Sequence, residues 1–313
     1  MKEYSSIADI ENCQIQDDIK KLLLLLERIN PCGQMYYKLE DTVIVTYIHR
    51  LNLFNFKKGL KFSLPLRIVG LPVSIAMPGI FGDMSPALKI LKSLSGLSLI
   101  LNSDKKFING GKTLSSFVFK NQFSDYDTYL NSLRSSYRRR IKIAQEKGKN
   151  LNIKRLENKD FSSNHYNLYK DVFDRSENKL EILPLEFFKE FSADLYEFKD
   201  HKDEVLAFVQ ILERKNELLF LFCGFKEEDV KNHDIYYNML QFILKEGIRR
   251  GTDTINFGQT SEETKSKIGC IEEPKYLYLH HNNPLLGWAL KKLTPYFSYK
   301  GYPNKHRVYK VNS

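Results

Sequence analysis

The sequence predicts an α+β protein made of two mixed β-sheet units with flanking helices. Three observations predict it. A chain of 313 residues exceeds what one hydrophobic core usually organises, so two domains or two closely packed halves are expected. Strand-like runs alternate with helical stretches, and between residues 36 and 120 the connections are too short for a doubly wound sheet throughout. The order helix, strands, hairpin, helix, strand occurs in both halves, without a residue-level repeat. The expected division is an N-terminal unit over 1–123 that includes a leading amphipathic helix, a basic linking helix over 124–150, and a C-terminal unit over 151–313.

The first helix is expected over 17–29, where Ile19, Leu22, Leu23, Leu26 and Ile29 share one face and Asp17 or Asp18 caps the start. Strands are expected over 42–49, which is rich in β-branched residues, over 61–69, and over 73–77. Pro65 assigns the second of these to an edge, because proline cannot donate to a ladder. Ser85 and Pro86 open a helix as cap and first turn. Two further strands follow over 98–101 and 113–119.

A long helix is expected from Ser124 to the stop at Gly148, with Leu130, Leu133, Tyr137, Ile141 and Ala144 on one stripe. A second stripe carries Arg134, Arg138 and Lys142, with Arg139 and Arg140 beside it. Helices over 163–173 and 184–195 come next. The runs 204–212 and 217–225 are too continuously apolar to be half exposed, so they read as central strands around a Lys215-Asn216 turn. A helix with two apolar stripes follows, one through Ile235, Met239 and Ile243, the other through Tyr236, Leu240 and Leu244. Gly251 stops it. A strand over 252–257, a short helix over 262–268, a strand over 276–281 and a Pro- and Tyr-rich tail ending in a strand over 306–309 complete the chain.

Composition narrows the class. An apolar fraction of 42% with 27% charged residues is ordinary for a globular protein. The net charge of +10 and pI near 9.2 favour an anionic partner or simply confer solubility. The start of the chain lacks a basic segment followed by an apolar run, and Leu22 to Leu26 falls far short of the roughly 20 apolar residues that span a bilayer. A cytoplasmic protein without a transmembrane segment is expected. Cys13, Cys32, Cys223 and Cys270 are scattered and read as reduced thiols. No metal-ligand spacing, serine-nucleophile elbow or Walker loop is present.

Two stretches together resemble a known family. The helix SLRSSYRRRIKIAQEKG is similar to the linking helix of FemAB-like members of the GNAT acyltransferase superfamily, where a tyrosine or serine precedes a run of arginines and lysines. The stretch YYNMLQFILKEGIRRGTDTINFGQTSEETKSKIG resembles their second GNAT unit. There a tyrosine- and leucine-rich helix leads to a glycine turn, a strand ending near Phe-Gly, and a lysine before a glycine. Asn256, Phe257 and Gly258 stand at the strand end, and Lys265 stands four residues before Gly269. The resemblance covers residues 114–281. It implies a tandem GNAT-like (acyl-CoA N-acyltransferase) fold that moves an acyl or aminoacyl group onto an amine. The donors it implies are acyl-CoA, acyl carrier protein thioester or aminoacyl-tRNA, with no tightly bound cofactor. One departure stands out. The usual CoA-pyrophosphate loop offers glycine backbone N–H groups at a helix start, whereas KEEDVKNHDIY over 226–236 has no glycine and carries Glu227, Glu228 and Asp229.

The resemblance assigns Lys265 to substrate phosphate or to charge in the tetrahedral state, with Lys267 beside it; solvated lysines on a short helix are the competing reading. Asn256, Gln259 and Thr260 lie where α/β sheets place ligands, and could hold an acyl carbonyl or amide; a polar turn is the alternative. Of Tyr236 and Tyr237, one is a candidate general acid or acyl-chain contact and the other packs in the core; packing competes for both. Arg138, Arg139 and Arg140 are candidates for binding a donor's carrier or tRNA, against a solvated helix face. His280 and His281 point to opposite sides of a strand and cannot chelate one metal together. The expected function is therefore amide-forming transfer of an acyl or aminoacyl group from acyl-CoA, acyl carrier protein or aminoacyl-tRNA to an amine-bearing acceptor, with an acyl carrier protein or tRNA and a second copy in a homodimer as candidate partners. The alternatives are a noncatalytic GNAT-fold protein that binds a peptidoglycan or polysaccharide precursor and, from charge alone, an RNA-binding module.

Overall fold

The computed structural model describes residues 1–52, 63–176 and 181–310. The chain divides into two compact units, Met1–Leu114 with Pro274–Gly301, and Ser115–Glu273 with Tyr302–Ser313. The boundaries read from the sequence, after residues 123 and 150, both fall inside the second unit.

The first unit holds strands β1 (Lys2–Tyr4), β2 (Met35–Leu39), β3 (Thr42–Asn52), β4 (Ser63–Val69), β5 (Ile80–Phe81) and β6 (Leu97–Ser103), together with helices α1 (Asp17–Ile29) and α2 (Met84–Ser93). Its sheet runs β1-β2-β3-β4-β6 and is completed by β13 (Ile271–His281), which comes from far downstream. β3 and β4 are antiparallel, while β4 and β6 are parallel across the α2 crossover. Tyr37, Ile44, Val69, Ile90, Leu91 and Ile100 form the core between α2 and the sheet. α1 buries Ile19, Leu22, Leu23 and Leu26 as its spacing predicts, with Asp17 and Asp18 in the first turn and Gln16 at the cap.

Four local expectations are corrected. Pro65 is not on an edge strand: β4 lies between β3 and β6. The β6 pairing begins only at Arg67, so Pro65 lies beyond that ladder, which is the tolerance an edge would give. Residues 61 and 62 lie outside the described residues. Residues 73–77 form no strand; their backbone closes tight i→i+2 bonds, Ile75 N–H to Val73 O and Met77 N–H to Ile75 O, both 2.7 Å. The cap of α2 is Asp83, two residues ahead of the expected Ser85. The tail contains a helix, α10 (Pro284–Phe297), in which Asn283 Oδ1 accepts from Leu285 N–H at 3.0 Å.

The second unit holds β7 (Gly111–Lys120), whose greater part belongs here, with β8 (Asn152–Leu156), β9 (Asp194–Lys199), β10 (Val205–Arg214), β11 (Glu217–Phe225) and β12 (Thr254–Asn256). The strand order is β7-β12-β11-β10-β9-β8, so β10 and β11 are interior, as their continuous hydrophobicity predicts. Here too a hairpin, β10–β11, leads through a helix to a parallel strand. That helix, α8 (Ile235–Arg250), buries Met239, Leu240, Ile243, Leu244 and Ile248. Gly251 ends it at φ 70°, with its N–H on Ile248 O and the Thr252 N–H on Gly247 O.

The long basic helix is two helices, α3 (Tyr126–Ser132) and α4 (Ser135–Lys147). Leu133 leaves the helical path to bridge Tyr309, and Arg134 N–H donates to Val308 O at 3.0 Å. The tail strand reduces to that bridge. The start of α3 is capped not by Ser124 but by Asp125, whose carboxylate accepts from Thr128 N–H at 2.7 Å. α5 (Ser163–Arg175) forms as expected, but the next helix stops early: α6 (Leu185–Glu190) gives way to β9. Two short helices, α7 (Glu227–His233) and α9 (Glu262–Lys267), flank the ends of the β11–β12 crossover. Among the described residues no helix is long and apolar enough to cross a membrane.

Candidate active site in the second unit

β11 and β12 pair in parallel only over Glu217–Leu219 and Thr254–Asn256. β11 then continues to Phe225 while β12 ends, so the strands part at their C-terminal ends. Parallel sheets place ligands at such openings.

Past β12 the backbone turns through three left-handed residues, Gly258 at φ 70°, Thr260 at 62° and Ser261 at 52°. Glycine tolerates this; a β-branched threonine does not readily, and each non-glycine residue there costs about 1–2 kcal/mol. Such strain persists only where surrounding contacts hold it. Three contacts do. Asn256 Oδ1 accepts from Gly258 N–H at 2.9 Å, Phe117 N–H donates to Gly258 O at 3.0 Å, and Lys265 Nζ reaches back to Gly258 O at 3.3 Å and Gln259 O at 2.6 Å.

Lys265 is 2% exposed. Two of its three ammonium donors meet carbonyl oxygens, and among the described residues no carboxylate pairs with it. Burial pulls its pKa down to about 8, opposed by the fields of Cys270, Cys223 and Glu262. Cys223 on β11 and Cys270 after α9 are the nearby thiols. Burial pushes Cys223 up to about 12 and Cys270 higher still, although the Lys265 charge lowers both. They are therefore neutral thiols at neutral pH and poor nucleophiles.

Tyr236 opens α8 with its ring 5.5 Å from that of Phe225. Burial raises its pKa, so the phenol stays protonated at neutral pH and can donate a proton but not accept one. Tyr237 turns to the opposite side. It is 5% exposed, the Arg140 guanidinium lies 4.3 Å over its ring, and among the described residues its hydroxyl has no hydrogen-bond partner. Burial lifts it to about 12.

The start of α8 is occupied by the protein itself. Asp234 sits there at φ 48°, and Arg140 grips its carboxylate with two bonds of 3.0 and 2.9 Å. Lys147 lies 3.9 Å from the same group. The stretch expected as a loop is α7, closed onto α8 by this carboxylate. A carboxylate takes the favourable end of the helix dipole that a pyrophosphate would need.

The sequence-derived candidates are thus distributed unevenly. Lys265, Gln259, Thr260 and Tyr236 gather around the Gly258–Ser261 turn. Asn256 spends its amide on Gly258 and on Glu217 Oε1, at 3.3 Å. Lys267 pairs with Glu263 at 2.6 Å on the outer face of α9. Arg140 belongs to Asp234, while Arg138 and Arg139 have no ion pair among the described residues. Cys270 and Asp234 escaped sequence reasoning as site components, and Cys223 was read only as a buried thiol. Cys223 and Cys270 lie 47 positions apart and share no spacing signal, although the buried run around Cys223 was legible. Gly269 is explained: a Cβ there would collide with the Tyr309 hydroxyl.

A second buried polar group in this unit is structural. His165 Nδ1 accepts from Ser162 N–H at 3.0 Å in the cap of α5, and its Nε2 lies 3.3 Å from Glu197. Among the described residues no cluster of His, Cys, Asp or Glu is arranged to hold a metal ion.

No family model and no curated protein matches the sequence. Solved structures do match the fold. The L-PGS of Bacillus licheniformis superposes with a TM-score of 0.51 at 13% identity, covering 88% of this chain and 96% of that one. The C-terminal domain of a putative lysylphosphatidylglycerol synthetase from Agrobacterium fabrum gives 0.52 at 10% identity, covering 90% and 92%. FemX gives 0.45 at 11% identity, covering 82% and 90%. The chain shares its fold with the two structures that superpose above 0.5. A hairpin, a crossover helix and a parallel strand pair occur in each unit. Each unit also takes its next strand from the far side of the sequence, β13 for the first and β7 for the second.

Proposed function

We propose that the second unit transfers an acyl or aminoacyl group from an activated donor to an amine, in the opening between β11 and β12. The observation that carries this reading is the buried Lys265 ammonium, held by the Gly258 and Gln259 carbonyls without a carboxylate partner, at the strand ends of an acyltransferase fold. In the reaction an amine attacks the acyl carbonyl. A C–N bond forms, the C–O or C–S bond to the carrier breaks, the amine loses a proton to solvent, and the leaving group gains one. Lys265 stabilises the developing oxyanion or a donor phosphate. A fixed cation in a low-dielectric site does this without reorganising. Tyr236, protonated at neutral pH, supplies the proton to the leaving oxygen or sulfur and regains one from water.

The donor we favour is one presented on a macromolecular carrier, an aminoacyl-tRNA or an acyl carrier protein, and not free acyl-CoA. Asp234 at the start of α8 opposes a pyrophosphate there, and Arg138, Arg139 and Lys142 on α4, without an ion pair among the described residues, supply cations for an anionic carrier. The second reading is noncatalytic binding of a peptidoglycan or polysaccharide precursor. It is favoured by Asn256 and Lys267, whose polar groups are spent within the protein.

The test is native mass spectrometry with acyl-CoAs, acyl carrier proteins and charged tRNAs offered separately, followed by single-turnover transfer to amines. Retention of a carrier-borne donor and loss of its acyl group to an amine is expected. A folded protein that retains only acyl-CoA overturns the donor assignment. One that binds a glycan precursor and transfers nothing overturns the enzyme.

A further inference from the structure

α10 in the first unit is built with its apolar side outward. Leu285 is 79% exposed, Tyr296 83%, Phe297 66% and Trp288 64%, with Leu286 and Leu293 also exposed. Its inward side is narrow and small. Thr294 is buried, and at Gly287 a Cβ would lie 3.2 Å from the His281 carbonyl oxygen. A surface helix ordinarily shows the reverse arrangement. The helix is firmly seated: Asn283 caps its start, and at its end Lys112 N–H donates to Ser298 Oγ at 2.8 Å and Tyr299 N–H to Lys112 O at 2.8 Å.

Charge decides what covers this face. From Asn282 to Lys300 the chain has three lysines, Lys291, Lys292 and Lys300, and no acidic residue. Lys106 and Lys112 line an open cavity with Ser298 and Tyr299 at the end of the helix. Ile108, at the tip of the adjoining turn, is 89% exposed. Bulky leucines and aromatics that protrude singly, with Lys292 on the same stripe as Trp288 and Tyr296 and Lys291 beside it, suit insertion among lipid headgroups and acyl chains, where long lysine stems reach up to the phosphates. Protein–protein interfaces, in contrast, are depleted of lysine. At 14 residues the helix is too short to span a bilayer.

We propose that α10 is an interfacial anchor that lays Leu285, Trp288, Tyr296 and Phe297 into an anionic membrane surface. The flanking lysines meet the lipid phosphates. This inference does not depend on the transfer reaction.

Trp288 is the chain's single tryptophan, so its fluorescence reports the face directly. The full chain is titrated with vesicles of phosphatidylcholine, with and without phosphatidylglycerol. A blue shift and co-sedimentation with the anionic vesicles are expected. The doubly substituted Leu285→Glu, Phe297→Glu variant should lose both while keeping its circular dichroism spectrum. Lys291→Gln with Lys292→Gln should weaken partitioning about 25-fold, from about fivefold per lysine. No shift with either vesicle overturns the proposal. So does a shift that appears without lipid and grows with protein concentration, which would assign the face to a second copy. Equal binding to both vesicles overturns the anionic part.

Discussion

Each unit buries a lysine, and the two are treated in opposite ways. Lys275 on β13 of the first unit is 9% exposed and its ammonium meets the carboxylate of Asp104. Lys265 on α9 of the second unit is 2% exposed and meets only carbonyl oxygens, in a turn strained by left-handed Thr260 and Ser261. Pairing a buried charge is the ordinary way to make it tolerable. Leaving one unpaired beside backbone strain opposes folding, and local structure that opposes folding is expected where a chain serves function. This contrast is the ground on which the second unit is proposed as the chemical one, although both contain the same hairpin, crossover and parallel pair.

The most severe way to break this contrast is to remove both charges in turn. Lys265→Met should lower single-turnover transfer by about 10²–10³-fold, the usual loss of a fixed electrostatic group. Lys275→Met should leave the transfer rate unchanged. Equal losses in the two variants would remove the distinction.

The pH response sharpens it. The pKa of Lys265 is about 8 in the folded protein against 10.5 for a free lysine. Below pH 8 both folded and unfolded chains hold the proton, and the folded state bears the full desolvation penalty. Between 8 and 10.5 the unfolded chain binds more protons, so stability rises with pH, by on the order of 3 kcal/mol from this group. Urea unfolding across that range should show the rise in the native chain and a flatter profile in Lys265→Met. Transfer should move the other way and fall as pH passes about 8, because the ammonium is lost.

Much of the scaffold was readable because its signals are local. The face of α1, the interior hairpin β10–β11, and α8 with its Gly251 stop all follow from periodicity and capping. The errors come from contacts that spacing cannot show. Leu133 breaks the basic helix because it bridges Tyr309, 176 positions away. α7 was read as a loop because polar residues over 226–236 obscure a short helix. α10 was read as tail because its apolar side faces outward and lacks the polar alternation of a surface helix. At the site, Lys265 was singled out by the resemblance and Tyr236 by its place at a helix start, and both lie by the Gly258–Ser261 turn. The isolation of Lys265 from any carboxylate, the thiols beside it and the Arg140–Asp234 clasp arise only from folding.

Two smaller effects extend the comparison. Reversing Arg138 and Arg139 to glutamate should weaken binding of a carrier-borne donor about tenfold or more, with a shallower salt dependence of the remaining affinity. The same reversal of Arg140 would also unclasp Asp234, so it is the wrong probe for the donor. Thr260→Gly should relieve the left-handed turn and raise stability by about 1 kcal/mol in thermal unfolding, while slowing transfer. A loss of stability would mean that the turn is not strained.

The most direct measurement is an NMR titration of the lysine ε-carbons in native protein and in Lys265→Met. One signal titrating near pH 8, absent from the variant and shifted when a donor binds, is the expected result. If every lysine titrates above pH 10, or the low signal survives in the variant, the uncompensated cation at the β11–β12 opening is contradicted, and with it the second unit's claim to the chemistry.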